Sequence, residues 1–288
     1  MKIITDVVNN VDFIEIQYYT LKKYFQGEYE FIVFNDAKDF PDYTNFGNVA
    51  IKSQIENKCR ELNIKCINIP NEHHKTMVDA STRNSNSMNF MLNYQLQNPD
   101  KYLILDSDMF LIDYLDINKY SNYDCAVLLQ TRKNYNNEDI NYIWHGICYF
   151  DMYKLNNMNV LNWDLCANCD TGGMTKDWLK LQLNNSTPPT GDNLRWSEKT
   201  KTFHIDTTYF IRHLWSTSWN ITELPENLNE NKELINFLQN DTRNKDGKFF
   251  CEIYDDVFLH YRAGCNWLHE GQATHNNLTS QLKKVLLG

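Results

Sequence analysis

At 288 residues the chain is long enough for one large domain or two small ones, and a single α/β domain with appended elements is the simpler reading. Its residues are 42% hydrophobic and 14% aromatic, which excludes a disordered chain and supplies ample material for a core. A formal net charge of −9 argues against a protein whose main task is binding nucleic acid, since that needs Lys and Arg clustered towards phosphates; a small phosphorylated ligand held through a metal ion stays compatible.

The first hundred residues alternate between strand-like and helix-like patterns. Lys2–Val8, rich in Ile and Val, predicts a strand, and Phe13–Phe25 carries apolar residues at helical spacing. Glu30–Phe34 predicts a second strand, Ile51–Leu62 a helix and Ile64–Ile69 a third strand. Ser85–Gln97 predicts another helix, closed by Asn98-Pro99-Asp100, and Tyr102–Leu105 a fourth strand, apolar throughout. Such alternation implies βαβ units and a mostly parallel sheet, and a run like Tyr102–Leu105 fits a central strand covered on both faces. The second half is less regular. Cys125–Gln130 and Gly146–Phe150 predict strands, Met174–Leu183 a short helix, Asn184–Asp192 a loop and Asn227–Asn240 a polar-faced surface helix. There is no internal repeat, no low-complexity tract and no linker dividing the chain into domains.

No apolar run approaches the ~20 residues that span a bilayer. The start lacks the basic end and apolar stretch of a signal peptide, so a cytoplasmic chain is expected. Of the eight Cys, Cys166 and Cys169 form a C-x-x-C pair with no second pair nearby; reduced, buried thiols are expected rather than a structural zinc. His73-His74 reads as an exposed pair on a mobile loop rather than a second metal site.

The strongest local signal is residues 101–113, KYLILDSDMFLID. Asp106 and Asp108 follow the buried strand directly, and ligands of open α/β sheets bind beyond the carboxyl ends of strands. Two carboxylates so placed can share one divalent cation, Mg²⁺ or Mn²⁺ suiting their oxygens. D-x-D is also a common tripeptide of solvated loops. The apolar runs on either side of this one favour a use, because carboxylates inside apolar sequence are costly to bury.

This strand–D-x-D arrangement resembles the nucleotide-sugar-binding half of GT-A glycosyltransferases, and most closely the glycogenin-like family 8 enzymes. Three further segments fall in order. Trp144–Phe150 resembles the family's Asn-x-Gly strand, with His145 in place of Asn; Cys169–Gly173 falls where the family carries an acidic loop at the sugar; Phe258–Trp267 resembles its C-terminal His-x-x-Gly-x-x-x-Trp segment. Asn266 stands where a basic residue usually precedes that Trp and holds phosphate, which makes Arg262 the candidate for that work.

The resemblance implies one GT-A domain: a nucleotide-sugar-binding half at 1–113, an acceptor half at 114–288, and a mixed, mostly parallel sheet with helices on both faces. It implies a metal, Mn²⁺ or Mg²⁺, held by Asp106, Asp108 and His260, which stabilises the leaving nucleoside diphosphate of a donor, expected to be a UDP-sugar. The acceptor is a hydroxyl of a glycan, protein or small molecule. Thr5, Asp36 and Arg83 are candidates beside the nucleotide, although Asp36 also reads as a turn residue and Arg83 as a solvated charge at a helix start. Ser107, His145, Gly146 and Trp267 complete the expected donor site. Gly172, Gly173 and Gly264 would let the backbone approach ligand oxygens. Asp170 is the first candidate for acid–base work at the acceptor. Asp206 is the second, and reads equally as the N-cap of a helix over the apolar stretch Tyr209–Leu214.

Of the seven Trp, at 144, 163, 178, 196, 215, 219 and 267, some could stack on sugar faces while most fit a core. Two other functions stay open. A haloacid-dehalogenase-type phosphatase also places Asp-x-Asp after an apolar strand, with Asp255-Asp256 as its later acidic pair; Phe110 and the depth of the motif in the chain weigh against it. A non-catalytic nucleotide-sugar-binding shell is the other.

Overall fold

A computed structural model describes residues 1–77, 79–196 and 203–288, with the side chain of His269 left out. In chain order the elements are β1 (Lys2–Val7), α1 (Val11–Tyr24), β2 (Phe25–Gln26), β3 (Glu30–Asn35), α2 (Ile51–Glu61), β4 (Lys65–Asn68), α3 (Ala80–Gln97), β5 (Lys101–Asp106), β6 (Met109–Leu111), β7 (Leu115–Asp116), α4 (Asn118–Ser121), β8 (Cys125–Lys133), β9 (Asp139–Asp151), α5 (Thr175–Gln182), β10 (His204–Ile205), β11 (Thr208–Phe210), β12 (His213–Leu214), α6 (Lys232–Asn240), β13 (Glu252–Tyr254), β14 (Phe258–His260), α7 (Trp267–Glu270) and α8 (Gln272–Leu287).

The main sheet runs in the order β10-β11-β8-β9-β5-β1-β3-β4. β1, β3, β4 and β5 are parallel; β9 runs against β5 and β8, and β10 against β11. The period-2 alternation of strands sorts the core onto its two faces. Ile3, Val33, Leu103 and Leu105 point to the side of Ile14, Leu21 and Ile55 from α1 and α2. Ile4, Ile32, Tyr102 and Ile104 point to the side of Met88, Met91 and Trp178 from α3 and α5. A second sheet, β12-β13-β14-β6, packs with Leu234, Phe237 and Leu238 of α6 and Leu278, Leu282 and Leu286 of α8 into a third apolar cluster. The chain is thus an α/β protein with a large mixed sheet flanked by helices. No helix among the described residues is long and apolar enough to cross a membrane.

Several expectations are corrected. α3 begins five residues before Ser85, because Asp79 caps it by accepting the Thr82 N–H at 2.7 Å and the polar first turn follows from that cap. The stretch Tyr209–Leu214 forms β11 and β12 rather than a helix, and Asp206 (φ 47°) occupies the turn before β11 instead of capping anything. The helix expected over 227–240 shortens to α6 after a 3₁₀ turn at Glu226–Leu228, and one face is buried. His73-His74 lies in a 3₁₀ helix, Glu72–Thr76, with His74 fully buried. α8, not foreseen, buries a stripe at i, i+4, i+8.

Candidate metal centre

β5 carries Asp106 to the carboxyl edge of the sheet beside Asp6, its register partner on β1. The chain then turns through Ser107-Asp108 and leaves as β6, which pairs with β14 so that Met109 faces His260. This crossing from one sheet to the other brings His260 to Asp108, with Nε2 at 3.0 Å from Oδ1. Asp106, Asp108 and His260 each offer a ligand atom, and these atoms lie within 4.8 Å of one another. Among the described residues this is the one group able to hold a metal ion.

The surroundings orient the donors. Glu252 faces His260 across the β13–β14 hairpin and accepts from Nδ1 at 2.7 Å, which leaves Nε2 to act as the ligand. Tyr254 donates to the same Glu252 oxygen at 2.5 Å. The Gly264 N–H donates to Asp108 Oδ2 at 2.7 Å and the Tyr261 N–H to its carbonyl at 2.9 Å. The loop achieves this by placing Arg262 (φ 58°) and Ala263 (φ 56°) in succession in the left-handed region, a conformation that costs about 1–3 kcal/mol per non-glycine residue and clusters at functional sites.

The electrostatics suit a cation. Burial and then the Asp108 charge push Asp106 well above the usual carboxylate range. Asp108 is opposed by burial too, yet His260 and the Gly264 N–H hold it low. Burial draws His260 down, but Asp108 and Glu252 overcome it and raise it to about 10. Burial, then Asp36, raises Asp6 to about 7. Carboxylates crowded at the end of a buried strand are relieved by a divalent ion, and two carboxylates with one imidazole form an O,O,N donor set that fits one.

The centre opens on a cleft of about 900 Å³, within the range of roughly 300–1,000 Å³ usual for small-molecule sites. Asp36, Arg83, Asp106, Ser107, His145, Asp170, Arg262 and Trp267 all line it with Asp108 and His260. His145 reaches it through a bulge: pairing jumps from Val127↔Cys148 to Leu128↔Trp144, re-aiming the residues between. Asn84 donates to His145 Nε2 at 2.8 Å, and burial lowers this histidine to about 4, so it stays neutral. Asp170 is exposed on the wall, its carboxylate accepting, among the described residues, the neighbouring Thr171 N–H alone.

Other expected residues lie elsewhere. Thr5 is buried beneath the cleft, and its neighbour Asp6 faces it instead. The glycines serve the protein's own packing rather than ligand oxygens. A Cβ at Gly172 would lie 2.4 Å from the Ile143 carbonyl, at Gly173 2.6 Å from the Cys166 nitrogen, at Gly264 2.6 Å from the Phe13 ring, and at Gly146 1.9 Å from the Trp144 ring. Asp206 is exposed at the far end of the sheet: the next strand starts with Thr208 beside Cys125, level with Tyr102 at the opposite end of β5 from Asp106. That placement removes it as a catalytic candidate. Asp255-Asp256 forms the turn of the β13–β14 hairpin, where Asp255 pairs with Tyr120 and Arg212 and lies off the cleft. Cys166 donates to the Gly173 carbonyl and joins no metal group.

Glu252, Asn84 and Lys38 also shape the cleft and were not anticipated, and Trp215 is one of the tryptophans that reach it. Of the three unanticipated residues, only Glu252 had a sequence signal. Two apolar runs flank Asp255-Asp256, and a hairpin turning there sets 252 opposite 260.

No protein-family model matches the chain, and no curated protein matches it.

Proposed function

We propose that the chain is a metal-dependent glycosyltransferase of the GT-A type, using a nucleotide-diphosphate sugar, with a UDP-sugar as the first donor to test. The observation that carries the reading is the convergence of Asp106, Asp108 and His260 at the carboxyl end of β5, with Glu252 behind the histidine. The antiparallel β9 beside β5 in an otherwise mostly parallel sheet accords with the mixed sheet expected of that fold.

Asp106, Asp108 and the Nε2 of His260 would hold Mn²⁺ or Mg²⁺, which supplies Lewis-acid stabilisation of the diphosphate. The protein's own groups do the rest. Arg262, whose side chain is 43% exposed, adds a charge-assisted hydrogen bond to the diphosphate. The strand ends carrying Asp6 and Asp36 receive the nucleoside. Neutral His145 and Asp170 face the sugar. In the transfer the bond from the anomeric carbon to the diphosphate oxygen breaks and one to the acceptor oxygen forms. In an inverting reaction Asp170 takes the acceptor proton; in a retaining one Asp170 stands beside the anomeric carbon as a polar group and the acceptor proton passes to the departing diphosphate oxygen.

The test is a thermal-shift screen of nucleoside diphosphates and nucleotide sugars, each with and without Mn²⁺. Ligand at a hundredfold excess over Kd adds about 2.7 kcal/mol of stability. Stabilisation by one nucleotide only with metal is expected. Stabilisation by none, with or without metal, would sink the reading.

A further inference from the structure

We propose that the part of the cleft beside β8 and β12 is an acceptor subsite that takes a pyranoside seated on Trp215. The inference rests on the glycosyl-transfer reading above and specifies its acceptor class.

Trp215 follows β12 and is half-buried on the cleft wall. His213 covers it at 4.1 Å between ring centroids, Trp144 meets it edge-on at 6.2 Å and 87°, and Tyr254 at 5.7 Å and 78°. His213 is itself pinned, its Nε2 2.7 Å from the Gly191 carbonyl oxygen. The indole is therefore locked by its neighbours while part of it still faces the cleft, which is the preorganisation a binding platform needs. It also adjoins the metal centre through shared partners. Trp144 packs against His260 at 5.2 Å, and Glu252, the His260 partner, accepts the Ser216 N–H at 2.9 Å.

The groups around the platform define its ligand. Gln130 lines the same wall; its carbonyl oxygen accepts from the Tyr142 hydroxyl at 2.6 Å, which orients its amide N–H₂ as a free donor. Ser216 adds a hydroxyl. Asp170 and Asp192 bring carboxylates to this wall, and exposed Arg132 together with Arg262, whose guanidinium donates to the Ser216 hydroxyl at 2.9 Å, brings donors of opposite charge. A pyranose ring presents an apolar C–H face and a rim of hydroxyls that both donate and accept. A fixed aromatic surface ringed by an amide, guanidinium donors and carboxylate acceptors matches both features.

The experiment is saturation-transfer NMR on the full chain with methyl β-glucopyranoside, methyl β-galactopyranoside and maltose, in the presence of Mg²⁺ and UDP. Wild type, Trp215→Ala and Trp215→Phe are compared, and stabilisation by Mn²⁺–UDP is the folding and donor-site control for each. At least one saccharide should receive saturation from the wild type. The signal should fall by about fivefold or more in Trp215→Ala and keep roughly half its strength in Trp215→Phe, where an aromatic face survives. An unchanged saccharide signal in Trp215→Ala, or no saccharide signal in a wild type that Mn²⁺–UDP stabilises, overturns the acceptor subsite and leaves the donor reading standing. A wild type that no nucleoside diphosphate stabilises with Mn²⁺ overturns the glycosyl-transfer reading, and the subsite with it.

Discussion

Two of the arginines that line the cleft serve it in opposite ways. Arg83, on α3, spends its guanidinium inside the protein: Nε donates to the Met77 carbonyl at 2.7 Å, one terminal nitrogen to Asp42 at 2.5 Å and the other to the His74 carbonyl at 2.6 Å. Its side chain is 8% exposed. The guanidinium of Arg262, on the loop after β14, makes one hydrogen bond among the described residues, to Ser216 at 2.9 Å, and lies 3.8 Å from Glu252, with 43% of the side chain exposed. The first is a strut that ties the segment around Asp42 to the 3₁₀ helix at Glu72–Thr76. The second has donors to spare for a ligand. Asp36 and Asp170 repeat the contrast: Asp36 is already bonded to Lys38 and Asn71, while among the described residues the Asp170 carboxylate accepts one hydrogen bond, from the Thr171 N–H. Lining a cleft therefore does not make a residue a ligand contact; the count of donors and acceptors left unspent does.

The largest expected effect lies where the two sides of the cleft meet. Asp108→Ala removes a metal ligand and leaves His260 and the Gly264 N–H without their shared partner. Metal-dependent stabilisation by nucleotide should disappear, as read by thermal shift, while the metal-free circular dichroism spectrum stays that of wild type. Persistence of the metal effect would place the ion elsewhere.

Arg83→Ala comes next. Truncating one partner of a buried ion pair that also carries two carbonyl bonds should cost about 3–5 kcal/mol of stability in urea denaturation. If Arg83 instead held phosphate, the loss would appear in nucleotide affinity with stability nearly unchanged.

How much of this was legible in the sequence follows from the same distinction. The strands and helices of residues 1–106 follow hydrophobic periodicity, so β1, β3, β4 and β5 fall close to their expected bounds. Asp106 and Asp108 stood out because they interrupt an apolar run. Arg83 could not be told from a solvated charge, because its partners, Met77, His74 and Asp42, come from loops with no periodic signal. The glycines at 146, 172, 173 and 264 read as openings for a ligand, yet their missing Cβ atoms make room for Trp144, Ile143, Cys166 and Phe13. Glu252 acquires its role from hairpin register alone, which depends on recognising that Asp255 (φ 46°) and Asp256 (φ 64°) can both take the left-handed conformation of a tight turn.

The pH response gives a third, intermediate effect. His260 sits at about 10 in the metal-free fold, against the ordinary 6.5 of an unfolded chain. A group raised by folding stabilises fully below its unfolded value, and that contribution is lost as pH climbs through the folded one. The metal-free melting temperature should therefore carry a decline between about pH 6.5 and 10 from this residue. Metal binding needs Nε2 unprotonated, so apparent Mg²⁺ affinity should rise over the same window, by up to about tenfold per pH unit. The raised Asp106 must also lose its proton to bind, which acts in the same direction. Melting curves at fixed Mg²⁺ across this range would show the gap between metal-free and metal-bound protein widening with pH. A constant gap would mean that His260 is not displaced from its proton by the ion.

The smallest effect sharpens the comparison of the two arginines. Arg262→Ala gives up one hydrogen bond to Ser216 and a cation–π contact with Phe250 at 4.8 Å, both partly solvated, so stability should move by no more than about 1 kcal/mol. Its guanidinium would be missed only when a diphosphate is bound. Loss of a charge-assisted hydrogen bond, worth about 1.5–3 kcal/mol, predicts a Kd for Mg²⁺–UDP weaker by about 10- to 100-fold by calorimetry. The affinity for Mg²⁺ alone should not change, because Arg262 touches Glu252 only at long range and no ligand atom directly. Opposite results for the two variants, with Arg262→Ala unfolding the chain and Arg83→Ala weakening only the nucleotide, would mean that unspent donors do not mark the ligand side of this cleft.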